Sequence, residues 1–246
     1  MSVLVARQLS KSYGGVRAVD GVSFELAAGE LLALIGPNGA GKTTCFNLLN
    51  GQLRPDSGDV LLHGRSIVGL APHRIWRLGV GRTFQITATF ASMSVRENVQ
   101  MALLSEARRL FRTWGRAAQF KRAQAEALLA RVGMLELAAR TSATLAYGDL
   151  KRLELAVALA HAPKLLLMDE PTAGMAAEER NELMRLAGQL AREDGVGVLF
   201  TEHDVDVVFS YATRVLVLHG GQIIAHGSPE VIRRDPRVQE VYLGIA

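Results

Sequence analysis

One octapeptide limits the fold of this chain more than any other feature. Gly36-Pro37-Asn38-Gly39-Ala40-Gly41-Lys42-Thr43 follows the run Leu31-Leu32-Ala33-Leu34-Ile35, which is apolar on both faces. Such a run suits a strand covered on both sides, as in a parallel sheet. The stretch Lys42–Asn50 behind it reads as a helix ended by Gly51. The spacing G-x-x-x-x-G-K-[ST] therefore sits at a strand-to-helix junction, the context that gives it meaning. Glycines let successive backbone N–H groups turn inward, and a helix N-terminus adds partial positive charge, so the loop is built for phosphate. Lys42 is placed for the terminal phosphates, and the Thr43 hydroxyl for a Mg²⁺ ion. With Gly at about a tenth of residues and Lys at about 2%, a chance match is on the order of half a percent.

A second apolar run, Leu165–Met168, ends in Asp169-Glu170-Pro171. Ligands in open α/β sheets bind at the carboxyl ends of strands. Asp169 is positioned to hold the metal through its water shell, and Glu170 to act as general base toward an attacking water. Composition supports a packed core: 246 residues with 49% apolar and 21% charged exclude a disordered chain and fit one domain with sub-lobes. No apolar run reaches the roughly 18 residues that a bilayer span needs, and the start carries no secretory pattern. The single cysteine, Cys45, excludes a disulfide framework or a cluster of thiolate ligands. A formal charge of +4 fits a phosphate-bearing partner or an anionic membrane face, and is too mild to argue for nucleic acid.

Along the chain, short strands fill the first 80 residues, with apolar runs at Val3–Val5, Val22–Leu26 and Val60–His63. Helix is expected over Val95–Leu137 and Leu150–Ala160. The last third alternates: strands at Leu165–Met168 and Val196–Phe200 flank a helix at Glu178–Arg192. A hairpin turns at Gly220-Gly221, and Ser228-Pro229-Glu230 starts a helix.

Over nearly its full length the chain resembles the ATP-binding-cassette ATPases, the nucleotide-binding subunits of ABC transporters. The resemblance implies an α/β P-loop NTPase with a RecA-like core, an antiparallel β lobe and an inserted helical subdomain. It implies a single nucleotide-binding domain over 1–246. Residues 1–85 and 160–246 would form the catalytic core with its β lobe, and 86–159 the helical part. Tyr13 matches the aromatic that stacks on adenine. Gln85, closing Gly81-Arg82-Thr83-Phe84-Gln85, matches the glutamine that reaches the metal and the nucleophilic water. Leu145-Ala146-Tyr147-Gly148-Asp149 stands where the family signature stands, and Ala173-Gly174-Met175 where a loop crosses the dimer interface. His203 matches the switch histidine. By that resemblance Lys42, Gln85, Glu170 and His203 are catalytic. Tyr13 and Gly36, Pro37, Asn38, Gly39, Ala40, Gly41, Lys42, Thr43 and Thr44 bind ATP, with Ala146, Tyr147 and Gly148 acting in trans. Thr43, Gln85 and Asp169 hold Mg²⁺.

The glutamine segment, the Ala146-Tyr147-Gly148 signature and the ending Val241-Tyr242-Leu243-Gly244 look most like cassettes of branched-chain amino acid importers. That branch implies two transmembrane permease subunits, a second and different ATPase subunit, an extracytoplasmic substrate-binding protein, and a peripheral place on the cytoplasmic face of the inner membrane. The alternatives are a lipopolysaccharide-type export cassette, an ATPase of this fold without a membrane partner, and a binding-only regulatory subunit. Two departures stand out. The signature replaces the usual Ser by Ala146, which removes a phosphate contact of about 1.5–3 kcal/mol, and the usual Gln by Asp149, a negative charge near another protomer's nucleotide. Ala176 replaces an acidic or amide residue in the interface loop.

Phe90, Met93 and Val95 are candidates for the permease contact, with Val95 the one expected in the core. The basic stretch Arg108, Arg109, Arg112, Arg116, Lys121, Arg122 reads as a solvated helix face or a contact with anionic lipid. Cys45 reads as a small buried residue whose alkylation should weaken nucleotide binding, with ATP protecting it.

Overall fold

The computed structural model describes residues 2–83, 89–107 and 119–243. The chain opens with a long hairpin, β1 (Ser2–Tyr13) and β2 (Val16–Ala27), followed by β3 (Leu31–Ile35) and helix α1 (Lys42–Leu49). Next come β4 (Ser57–Leu62), β5 (Arg65–Ser66), α2 (Pro72–Arg77) and β6 (Val80–Thr83). A helical stretch follows, with α3 (Val95–Glu106), α4 (Arg122–Arg131) and α5 (Tyr147–Leu159). The last part alternates β7 (Leu165–Asp169), α6 (Ala177–Asp194), β8 (Gly197–Thr201) and α7 (Val205–Tyr211). It closes with β9 (Arg214–His219), β10 (Gln222–Gly227), α8 (Pro229–Arg234) and α9 (Pro236–Val238).

Two sheets result. One is antiparallel in the order β2-β1-β4-β5; the other runs β10-β9-β3-β8-β7-β6. In the second, β9, β3, β8, β7 and β6 are mutually parallel and β10 is an antiparallel edge. All five residues of β3 are buried, as its apolar run requires. Successive side chains of a strand point to opposite faces. Accordingly Leu31, Ala33 and Ile35 join one core with α3, α4, α5 and α6, while Leu32 and Leu34 join another with α1 and the antiparallel sheet. The six-stranded sheet is thus covered on both sides, an α/β layering built around the strand that feeds the phosphate loop.

The structure also departs from the sequence reading. The first two strands run twelve residues each, far beyond the short apolar runs that mark them. Their pairing shifts register between Ala6 and Leu9 and again between Leu9 and Lys11, and Gln8 takes a φ of 47°. Each irregularity breaks the period-two alternation, so one strand reads as fragments. Helix α5 begins at Tyr147, three residues before Leu150, because Ala146 is its N-cap and supplies no side-chain bond. Val196 lies ahead of β8 rather than within it. Among the described residues the Val95–Leu137 stretch includes α3, α4 and a 3₁₀ turn at Leu135–Leu137. Ser228 caps α8 through its side chain, as its position before a proline suggests.

Candidate active site

Strand order decides what meets at the carboxyl edge of the parallel sheet. β8 lies between β3 and β7, so the phosphate loop, the end of β8 and the Asp169-Glu170 pair become neighbours. The loop itself is clamped from both sides. A Cβ on Gly36 would stand 2.1 Å from the Leu218 carbonyl oxygen, and one on Gly41 2.1 Å from the Ala18 carbonyl oxygen. Gly41, at φ 104°, caps α1 without a side-chain bond. That leaves the positive end of the helix dipole facing the cleft. The turn of the last hairpin props the loop, since Gly221 N donates to Ala40 O at 3.1 Å. Lys42 Nζ donates to Gly36 O at 2.6 Å and Pro37 O at 3.1 Å. Burial pushes the Lys42 ammonium below its usual range, and the Glu170 and Asp169 carboxylates pull it back up. A cleft of about 220 Å³ is lined by Ala18, residues 38–44, Glu170 and His203.

One hydroxyl ties the Asp169 carboxylate to the backbone of Glu170. Thr201 Oγ1 donates to Asp169 Oδ1 at 2.8 Å and accepts from Glu170 N at 2.9 Å. Glu170 takes a φ of 48°, a left-handed backbone that costs a non-glycine residue on the order of 1 kcal/mol or more. His203 Nε2 lies 2.6 Å from Glu170 Oε1. On the far side, Arg82 Nη2 stands 3.7 Å from Asp169 Oδ2 and donates to Asn47 Oδ1 at 3.3 Å. A carboxylate beside an imidazole, opposite a lysine and a ring of loop amides, can take a proton from water next to a bound phosphate. Thr201 and Arg82 were missed in the sequence. Thr201 had a readable signal, since it is a hydroxyl that ends the buried run leading to His203. Arg82 had none, because its approach to Asp169 depends on the pairing of β6 with β7.

The donor set fits Mg²⁺. Thr43 at the start of α1 and Asp169 at the end of β7 offer oxygen only, the chemistry of a cation that keeps several waters and takes one or two protein oxygens beside substrate phosphates. Among the described residues no three His, Cys, Asp or Glu gather into a metal cage. Gln85 lies outside the described residues.

The remaining candidates are not among the residues that line this cleft. Tyr13 ends β1, 47% exposed, with Lys11 Nζ 5.9 Å from its ring centroid. Ala146, Tyr147 and Gly148 form the N-terminus of α5, with the Tyr147 ring exposed. The charge of Asp149 is met within its own helix by Arg152, which also donates to Glu182 Oε1 at 3.1 Å. Phe90 is 53% exposed, Met93 is half-buried, and Val95 is fully buried. Asn98 fixes Phe90, accepting from its N at 2.7 Å, while Ser142 Oγ donates to its carbonyl at 2.8 Å. A separate apolar groove of about 390 Å³ is lined by Ile75, Trp76, Val80, Ala102 and Val157 among others. Of the basic stretch, Arg108, Arg109, Arg112 and Arg116 lie outside the described residues; Lys121 pairs with Glu106 and Arg122 with Glu126. Cys45 is wholly buried, as the sequence reading expected, and burial pushes its thiol up to about 12.

Residues 19–173 match the family described as ABC transporter, and residues 222–246 one described as Branched-chain amino acid ATP-binding cassette transporter. The chain is 41% identical over 251 residues to the high-affinity branched-chain amino acid transport ATP-binding protein LivG of Salmonella typhimurium, across 99% of this chain and 98% of that one. It is 38% identical over 242 residues to the lipopolysaccharide export system ATP-binding protein LptB of Acidithiobacillus ferridurans, across 98% and 97%. The solved ADP conformation of an ATP-binding cassette of an ABC transporter superposes with a TM-score of 0.89 at 31% identity, over 99% of each chain.

Proposed function

The chain belongs to the ABC transporter family, and we propose that it is the ATP-hydrolysing subunit of an importer for branched-chain or related hydrophobic amino acids. The chain is an ATPase of this fold. The observation that carries the catalytic reading is the 2.6 Å approach of His203 to Glu170 across the cleft from Lys42. The match of residues 222–246 supports the substrate class.

The reaction follows from the groups in place. Residues 36–44 cradle the phosphates, and Lys42 exchanges its two loop carbonyls for phosphate oxygens. Glu170 takes the proton of the attacking water, and His203 orients that carboxylate and the water. Thr43, Asp169 and Gln85 would hold Mg²⁺, which when bound would neutralise charge on the phosphate oxygens. Tyr13 receives the base. Ala146, Tyr147 and Gly148, which do not line the chain's own cleft, serve the nucleotide of a second cassette that closes head to tail. Arg152 keeps Asp149 from opposing that approach.

The chain acts as one domain, with 1–85 and 160–246 as catalytic core and β lobe and 86–159 as the helical part. Its partners are two permeases, a second and different cassette, and an extracytoplasmic binding protein that delivers cargo to the permeases. No described helix is long and apolar enough to cross a membrane, and the chain sits peripherally on the cytoplasmic face of the inner membrane. Phe90 and the 390 Å³ groove supply an apolar ring and an apolar recess for the permease contact.

The test is Glu170→Gln. Steady-state turnover should fall at least about 100-fold. ATP binding should persist, with the closed pair accumulating in gel filtration. Full turnover would remove Glu170 as the base. Leucine uptake by vesicles carrying the chain with its permeases tests the cargo; lipopolysaccharide extraction without uptake would move the reading to export.

A further inference from the structure

Thr201, the last residue of β8, and the two residues after it hold the end of β7 and the segment that follows. Thr201 fixes Asp169 and Glu170, and His203 meets Glu170. Glu202, between them and just past the end of the strand, meets Thr172. Glu202 is 3% exposed and Thr172 2%. Glu202 Oε1 accepts from Thr172 N at 3.0 Å and from Thr172 Oγ1 at 2.5 Å, and Oε2 accepts from His203 N at 3.2 Å. A carboxylate serves three donors here because it carries acceptors only. A glutamine would turn its NH₂ toward one of them.

Thr172 in turn roots the loop that leaves the site. Met175 N donates to Thr172 O at 3.1 Å, and Ala173 N to Glu170 O at 3.2 Å. Gly174 faces Tyr147, whose ring would stand in ordinary contact, 3.6 Å, with a Cβ placed there. A contiguous path of bonds thus runs from Met175 through Thr172 and Glu202 to His203.

From this geometry we propose that Glu202 is a positioning residue that locks the 171–175 loop to His203, so that the histidine meets Glu170 only while that loop is seated. Glu202 touches no substrate; it acts through His203 and Thr172. The proposal rests on the ATPase reading, and adds a link inside one chain between the face where a second cassette docks and the residues that handle water.

The experiment uses the full chain with Thr172→Val, Thr172→Ser and Glu202→Gln. Thr172→Val keeps side-chain volume and removes the hydroxyl that Glu202 accepts, so it serves even where Glu202→Gln folds poorly. Thr172→Val should lower kcat for ATP three- to tenfold with KM within twofold of wild type, and Thr172→Ser should restore it. Without nucleotide, Thr172→Val should lower hydrogen-exchange protection of the His203 amide about threefold or more, although Thr172 does not touch that amide. Wild-type kcat in Thr172→Val, or unchanged protection at His203, overturns the proposal. So does a loss of kcat matched by an equal loss of folded protein. A failure of the ATPase reading shows in the wild-type chain itself, whereas a failure here shows in the variants and in the nucleotide-free exchange.

Discussion

A single hydroxyl, that of Thr201, orders the Asp169 carboxylate and the backbone that carries Glu170. It donates to Asp169 and accepts from the strained amide of Glu170, so the left-handed backbone at Glu170 has a partner that holds it. Replacement by the isosteric valine leaves a buried carboxylate oxygen and a backbone N–H each short of one bond. Thr201→Val should cost about 1–3 kcal/mol of stability. Since about 1 kcal/mol shifts Tm by roughly 2–4 °C in a chain of this size, thermal unfolding resolves it. Turnover should fall about tenfold or more with little change in KM, because the base loses its aim and the phosphate cradle does not. Unchanged kinetics would mean that His203 alone orients Glu170.

Elements differ in how far their sequence announces them. The strand–loop–helix of residues 31–49 was legible throughout, since apolar run, glycines and helix are adjacent in the chain. The Asp169-Glu170 pair and His203 were legible for a similar reason: each ends a short buried strand. Arg82 and the bond from Glu202 to Thr172 were not, because they exist only once β8 lies between β3 and β7 and β6 lies beside β7, and no local pattern encodes that order. The antiparallel pair β1–β2 was half legible, broken up by bulges. Glycine spacing in the loop makes a graded prediction. Gly41 combines a φ of 104° with a backbone carbonyl 2.1 Å from any added Cβ, whereas Gly39, at φ 80°, has nothing within 4 Å. Gly41→Ala should therefore destabilise by at least about 2 kcal/mol and abolish tight ATP binding, and Gly39→Ala by about 1 kcal/mol. Denaturant unfolding with a nucleotide titration checks the order; equal effects would contradict the clamp between β2 and β9.

The whole molecule carries two cores on opposite faces of one sheet, and its helical part reaches α6 through ion pairs of Arg131 with Asp194 and Arg152 with Glu182. Such partly exposed pairs contribute roughly 0–1 kcal/mol each, so they guide the arrangement without fixing it. Phe90 projects from this part, its backbone pinned by Asn98 and Ser142. An aromatic ring held rigid and more than half exposed suits an anchor in a partner's interface. Phe90→Ala should weaken association with the permease pair about tenfold while leaving Tm at the wild-type value. Titration of detergent-solubilised permeases with the two cassettes reads the first quantity, and unchanged affinity would place the contact elsewhere, in the groove beside Trp76. The sealed Cys45 thiol has a practical consequence at this scale. With its native sulfur silent, the chain accepts a dye on any cysteine engineered at the surface, and the opening and closing of paired cassettes can be followed one molecule at a time without first rebuilding the interior.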